Sequence, residues 1–296
     1  MIEVIQQLID GLGRGSAYAL LALGLALIFG VMHLVNFAHG ETVTVAAYAV
    51  YGAATFGAPW WLLAVVAVVA AVLTSVAIEV IGFRRLRGAD DFTLLLTSFG
   101  IAVLVRAAFS MWVSTTPRQF SRPAWIFDTF RLGPLTLEIY DVLVVAVTLV
   151  TLAGTWLLLR RTMFGVALRA AAEDFDAARL MGARANRIIM GAFALAGLLA
   201  GIAAVLLLMR RGQAEPAMGL DILLPALLAA IIGGLGRLEG AVIGGFALGL
   251  AQTAFRVWIF PAELSRLTEA AVFGLIALLF IFRPEGILTA RRAERV

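Results

Sequence analysis

The 296-residue chain contains no cysteine and no lysine; all 23 of its basic residues are arginine, and it has only two histidines. Without cysteine there are no disulfides, thiolate nucleophiles or Cys-ligated zinc. Without lysine there is no P-loop lysine and no Schiff-base chemistry, so the chain is not itself a P-loop ATPase. Charge is also scarce, at 14% of residues against 62% hydrophobic, where soluble domains carry about 25% charged residues. Runs of about 20 apolar residues have the length needed to cross hydrocarbon, so a polytopic membrane protein is expected. The net charge is only +4, and the arginines cluster between apolar runs, which suits membrane topology rather than nucleic-acid binding. The opening MIEVIQQLID lacks a basic n-region and the apolar stretch after it is too long for a secretory signal, so the first helix is expected to stay in the membrane.

Apolar segments fall at about 8–30, 42–57, 60–83, 93–113, 139–160, 187–209, 220–235, 240–257 and 265–282. The fold class expected is therefore all-α, a single transmembrane domain over 1–296 with about 8–9 hydrophobic segments. Segments 42–57, 220–235 and 240–257 are short and lie beside Gly-rich or polar breaks, which predicts broken helices. Arginine clusters at 84–87, 160–187 and 283–295 are separated by even numbers of spans, so all three can share the cytoplasmic face. The same parity sets residues 57–59, 114–138 and 210–219 outside.

Two loops are long enough to act. Residues 114–138 mix Pro, Arg and aromatics and suit either an amphipathic cap, with Trp125, Phe127 and Phe130 at the interface, or a docking surface for an external partner. Residues 163–187, MFGVALRAAAEDFDAARLMGARANR, are rich in helix formers, with Arg169 and Glu173 at i, i+4. This inner helix is too polar to cross the membrane. It either lies on the bilayer surface or docks its apolar and acidic groups into a soluble partner.

The string Asn36-Phe37-Ala38-His39-Gly40-Glu41 interrupts a hydrophobic run with an amide, an imidazole and a carboxylate. At membrane depth such groups belong in a translocation path or gate, or else close an inner-face turn. A catalytic His–Glu pair is excluded in practice: the zincin spacing is absent, and His33 and His39 are the chain's only histidines. The run GGLGRLEGAVIGG spaces Gly236, Gly240 and Gly244 four apart, and Gly197 and Gly201 repeat that spacing, which reads as close helix packing. Arg237 and Glu239 within that run either pair with each other or line an inner mouth. The breaks at 31–41 and 233–240 are plausible counterparts, although parity places both near one face. Glu79 and Arg106 sit in adjacent segments and could pair, or Glu79 could simply sit at the inner interface, while Arg14 and Arg256 could snorkel to an interface.

Four blocks together carry a resemblance. Glu173, Asp174, Ala177, Ala178, Leu180, Met181 and Gly182 resemble the cytoplasmic coupling loop of ATP-binding-cassette (ABC) importer permeases. The 36–41 string, led by Gly15-Ser16-Ala17-Tyr18 and Leu27-Ile28-Phe29-Gly30, is similar to the signature of the branched-chain amino acid branch, the LivH/LivM type and nearer to LivH. Gly233-Gly234-Leu235-Gly236 with Gly240-Ala241-Val242-Ile243-Gly244-Gly245 is similar to that family's second glycine block, and Phe282-Arg283-Pro284-Glu285-Gly286 to its terminal one.

The resemblance implies a multi-pass permease of the bacterial plasma (inner) membrane that binds no ATP or other cofactor and is not an enzyme. It implies a second homologous permease chain, two ABC ATPase subunits and an external solute-binding protein around it in the lipid bilayer, and no nucleic acid. Glu173, Asp174, Ala178 and Gly182 are expected to serve ATPase coupling, and Asn36, His39 and Glu41 the path or gate. The expected solutes are branched-chain or similar small neutral amino acids. Urea, short amides or other small organic solutes, and an ion-coupled secondary carrier, are the alternatives.

Overall fold

A computed structural model describes residues 2–86, 88–132, 135–173, 178, 180, 184–259, 271 and 274. The segment expected at 265–282, including Glu269, lies outside the described residues, as does the terminal block at 282–286. The described helices are α1 (Ile2–Met32), α2 (Glu41–Thr55), α3 (Trp60–Ala77, continued by a π-helical turn Ile78–Phe83), α4 (Asp91–Trp112), α5 (Ile139–Arg161), α6 (Met163–Glu173), α7 (Ala185–Arg211), α8 (Met218–Gly233) and α9 (Leu238–Ala254). Eight of the expected apolar segments thus appear as helices, with ends shifted by a few residues. Among the described residues, six helices are long and apolar enough to cross a membrane, and α8 is apolar but shorter.

Burial divides these helices into a centre and a shell. The most apolar windows of α1 and α7 are 78% and 72% buried, against 28% for α3, 22% for α5 and 17% for α4. A helix that is apolar all round can be central or face lipid, and here α1 and α7 take the centre. Lipid supplies no hydrophobic drive between helices, so association depends on close van der Waals contact at small residues. A Cβ added to Gly249 would lie 2.3 Å from the Gly15 nitrogen, and one on Gly245 would lie 2.4 Å from the Ala19 Cα, which seats α9 directly on α1. Gly197 and Gly201 lie close against α3, where an added Cβ would come 2.9 Å from the Ala71 oxygen and 2.7 Å from the Val68 Cα, and the buried Ser75 hydroxyl donates to the Phe193 carbonyl at 2.7 Å across the same contact. The glycine spacings read as packing in the sequence do pack helices.

One end of the bundle carries small β elements. The loop expected as a cap or a docking surface contains a hairpin of β2 (Thr129–Leu132) and β3 (Leu135–Glu138), while β1 (Arg118–Gln119) pairs antiparallel with β4 (Gln213–Ala214). Ile126 anchors this layer at 0% exposure, and Trp125 stays half exposed. We refer to this as the hairpin end; the arginine-rich end carries the turns after α3, α5 and α8. At the hairpin end Gly212, in a left-handed conformation (φ 64°), closes α7 as the residue after its last turn.

Candidate translocation and coupling sites

The break after α1 folds back into the bundle. His33 takes a left-handed conformation (φ 54°) and donates its N–H to the Phe29 carbonyl at 2.7 Å, which ends α1. The Asn36 Oδ1 then accepts from the Ala38 N–H at 3.0 Å and caps a single 3-10 turn, Phe37–His39. The Phe37 N–H donates to the Ser98 hydroxyl of α4 at 3.2 Å, and the Thr42 hydroxyl donates to the His39 carbonyl at 2.6 Å. Non-helical backbone inside a membrane protein persists only where such partners satisfy it. Asn36, His39 and Glu41 are brought together and buried, at 2%, 1% and 1% exposure.

The imidazole of His39 rests against α1 at Gly24, where a Cβ would come within 2.7 Å of Nε2, with the Ala196 carbonyl of α7 beside it. Neither ring nitrogen has a hydrogen-bond partner among the described residues, and the same holds for Glu41 Oε2 and Arg106 Nε. Glu41 accepts from the Thr44 hydroxyl and lies within electrostatic reach of Arg106 on α4 and Asp221 on α8. The break therefore carries a neutral-or-cationic ring and an acid, both buried, at a junction of α1, α2, α4, α7 and α8.

At that junction two helix starts cross. A Cβ on Gly40 would lie 2.4 Å from the Gly219 carbonyl oxygen, and one on Gly219 would lie 2.4 Å from Thr44 Oγ1 and 2.5 Å from the Gly40 oxygen. The Gly219 N–H donates to Thr44 Oγ1 at 3.0 Å. The chain reaches Gly40 from the arginine-rich end and Gly219 from the hairpin end, through β4. The segment that the 31–41 break meets is thus the one before α8. The 233–240 run is a tight α8–α9 turn, with Gly233 and Gly240 each blocking a side chain on the other. One correction concerns Glu79. Its carboxylate, with 0% side-chain exposure, is bound by Arg84 at 2.8 Å, one turn along its own helix, while Arg106 lies toward Glu41.

Gly24, Thr44, Ser98 and Gly219 were not singled out from sequence. Only Gly219, three residues after Pro216, sat near a legible break. The others are small residues within apolar runs, where nothing local separates a site from ordinary packing.

At the arginine-rich end α6 lies against the bundle. Gly165 fits against the Leu159 backbone, the Phe164 ring covers Gly191 of α7, and Leu168 and Ala171 are buried. Arg169 donates to the Leu159 carbonyl, holding the α5–α6 corner. Met163, Val166, Ala170 and Glu173 form the opposite, exposed face. Of the expected coupling residues, Glu173 is exposed, Ala178 is buried at 8%, and Asp174 and Gly182 lie outside the described residues. Between α6, the end of α1 and the α8–α9 turn lies a cavity of about 570 Å³ lined in part by Gly30, Leu168, Glu173, Arg237 and Glu239. Arg237 and Glu239 both line this cavity.

Comparison with known proteins adds three findings. The family model described as "Branched-chain amino acid transport system / permease component" matches residues 7–281. The chain is 32% identical to the high-affinity branched-chain amino acid transport system permease protein BraD of Pseudomonas aeruginosa, over 99% of this chain and 98% of that one. It is 27% identical to the corresponding LivH protein of Escherichia coli over 99% and 97%. Among solved structures, an inward-facing metal-chelate type ABC transporter superposes with a TM-score of 0.52 at 17% identity, covering 93% of this chain and 85% of that chain. That last likeness concerns the fold alone.

Proposed function

This chain belongs to the family of branched-chain amino acid transport system permease components, and from that premise we propose that it forms half of the translocation path of an ATP-driven importer for branched-chain or similar small neutral amino acids. As in its family, it is a multi-pass inner-membrane transporter subunit and not an enzyme. Its partners in this reading are a second, homologous permease chain, two ATPase subunits at the arginine-rich end and an external solute-binding protein at the hairpin end. The second permease chain packs along α4, the least buried of the long helices and the one whose Ser98 holds the break.

The observation that carries this reading is the split of α6 into an inner face of Gly165, Leu168 and Ala171 and an outer face of Met163, Val166, Ala170 and Glu173. A helix seated in this way transmits a push from an external partner to α5, α7 and the end of α1. Nucleotide-dependent docking of the ATPase on that outer face supplies the differential contact that a conformational cycle requires. The Asn36–His39–Glu41 break, whose backbone crosses Gly219, then acts as the gate. Charge reversal at Glu173 and Asp174 should leave ATP hydrolysis by the assembled complex and abolish coupled uptake. Wild-type uptake in the double variant would refute the docking assignment.

A further inference from the structure

We propose that the cavity at the hairpin end, enclosed by α1, α5, α7 and α8, is a binding site for a small aliphatic amino acid in its zwitterionic form. This rests on the functional reading above and adds a substrate site to it. The cavity measures about 240 Å³. At roughly 30 Å³ per water that is room for about eight water-sized groups, the size class of a small aliphatic amino acid.

Its charges are arranged in two poles. Arg14 stands in the middle of the apolar α1 helix, and its guanidinium has neither a hydrogen bond nor a carboxylate within ion-pair distance among the described residues. The charges that bear on it most are Arg256 and Arg210, both of its own sign, with Asp10 one turn away opposing them. Arg210 is already engaged, at 3.4 Å from Asp141 and 3.9 Å from Glu138, and Arg211 is held by Glu215 at 2.9 Å. An arginine within a membrane-spanning helix is kept for a partner or a function, and this pole suits a carboxylate.

The other pole is acidic, with Arg210 already at its edge. Asp141, 6% exposed, lies against α1 at Gly13, and Asp10 bears on it with like charge. Asp10, Asp141 and Glu138 thus set three carboxylates against the one Arg210 guanidinium, a net negative pole that favours an added ammonium. Val144 and Ile222 supply an apolar wall. A solute with a carboxylate, an ammonium and an aliphatic side chain matches all three parts of the cavity. A phospholipid headgroup matches the charges but brings two acyl chains that a pocket of about 240 Å³ does not hold.

The test is equilibrium dialysis of labelled L-leucine against the assembled transporter in nanodiscs free of phosphatidylethanolamine, without nucleotide or external binding protein. Saturable binding is expected, with L-leucine amide and 4-methylpentanoate, which each lack one charge, competing at least tenfold more weakly. Arg14→Gln should weaken binding about tenfold to a hundredfold, the loss of one charge-assisted contact, while Arg14→Lys restores most of it. Competition on the wild-type protein keeps the test valid if Arg14→Gln fails to fold. Absence of saturable binding, equal competition by both analogues, or a phospholipid that co-purifies with wild type and is lost in Arg14→Gln would each overturn the site. Uptake measured in parallel separates the two readings: ATP-driven leucine uptake without this binding overturns the site alone, whereas absence of leucine uptake overturns the functional reading.

Discussion

Replacing Gly219 with alanine drives a methyl group into the crossing where α2 and α8 begin. The new Cβ would meet Thr44 Oγ1 at 2.4 Å and the Gly40 carbonyl oxygen at 2.5 Å, where ordinary contact begins near 3.4 Å. Neither neighbour is the free end of a flexible chain. The helix starts must therefore part by roughly 1 Å, and overpacking of this kind costs about 1–3 kcal/mol. Separation also breaks the Gly219 N–H bond to Thr44, worth about 1 kcal/mol net. The sum, about 2–4 kcal/mol, should lower the apparent melting temperature of the purified protein by roughly 5–10 °C in a tryptophan-fluorescence unfolding scan. Gly52, also on α2, has nothing within 4 Å of an added Cβ, so Gly52→Ala should be neutral or stabilise by about 0.5–1 kcal/mol through reduced backbone freedom. If Gly219→Ala melts within about one degree of wild type, the helix starts do not cross as described and the gate assignment loses its basis.

Two smaller effects follow from individual hydrogen bonds. Ser75→Ala removes the bond to the Phe193 carbonyl between α3 and α7; interhelical bonds in membranes average about 0.6 kcal/mol and reach about 1.7, so a small but measurable loss of thermal stability is expected, and an unchanged melting curve would count against the contact. At the start of α4 the Thr93 N–H and hydroxyl both donate to the Asp90 carboxylate, and these bonds hold its pKa below the ordinary 3.8. The stabilisation is thus complete above the ordinary value and is lost as pH falls through the lowered one; hydrogen exchange at the Thr93 amide should accelerate in that range relative to its neighbours, and Asp90→Asn should remove the pH dependence.

Much of this fold is legible because hydropathy and small-residue spacing act locally. The spans emerge as helices, and Gly197, Gly201, Gly240 and Gly244 make the close contacts their spacing implies. What the sequence conceals is depth. Arginine parity assigns a loop to a face, but it cannot say that the 33–40 segment returns into the bundle or that β4 leads Gly219 in to meet it. The hairpin was visible in retrospect in the alternation of Thr129-Phe130-Arg131-Leu132, yet the mix of Pro, Arg and aromatics around it read equally as an amphipathic cap or a docking surface. Glu79 was matched with Arg106 because their segments are adjacent; the nearer Arg84 sits one turn along the same helix and reaches it first. Arg14 announced itself as a charge inside an apolar helix, but only the fold shows Asp141 and Arg210 gathered around the same cavity.

The central claim is that the chain carries solute only when driven from outside itself. The direct measurement is uptake of labelled L-leucine into proteoliposomes containing this permease with and without its ATPase subunits, its second permease chain and the external binding protein. ATP-dependent accumulation by the complete assembly, and none by this chain alone, is the expected result. Concentrative uptake by this chain alone, driven by an ion gradient and indifferent to ATP, would contradict the account.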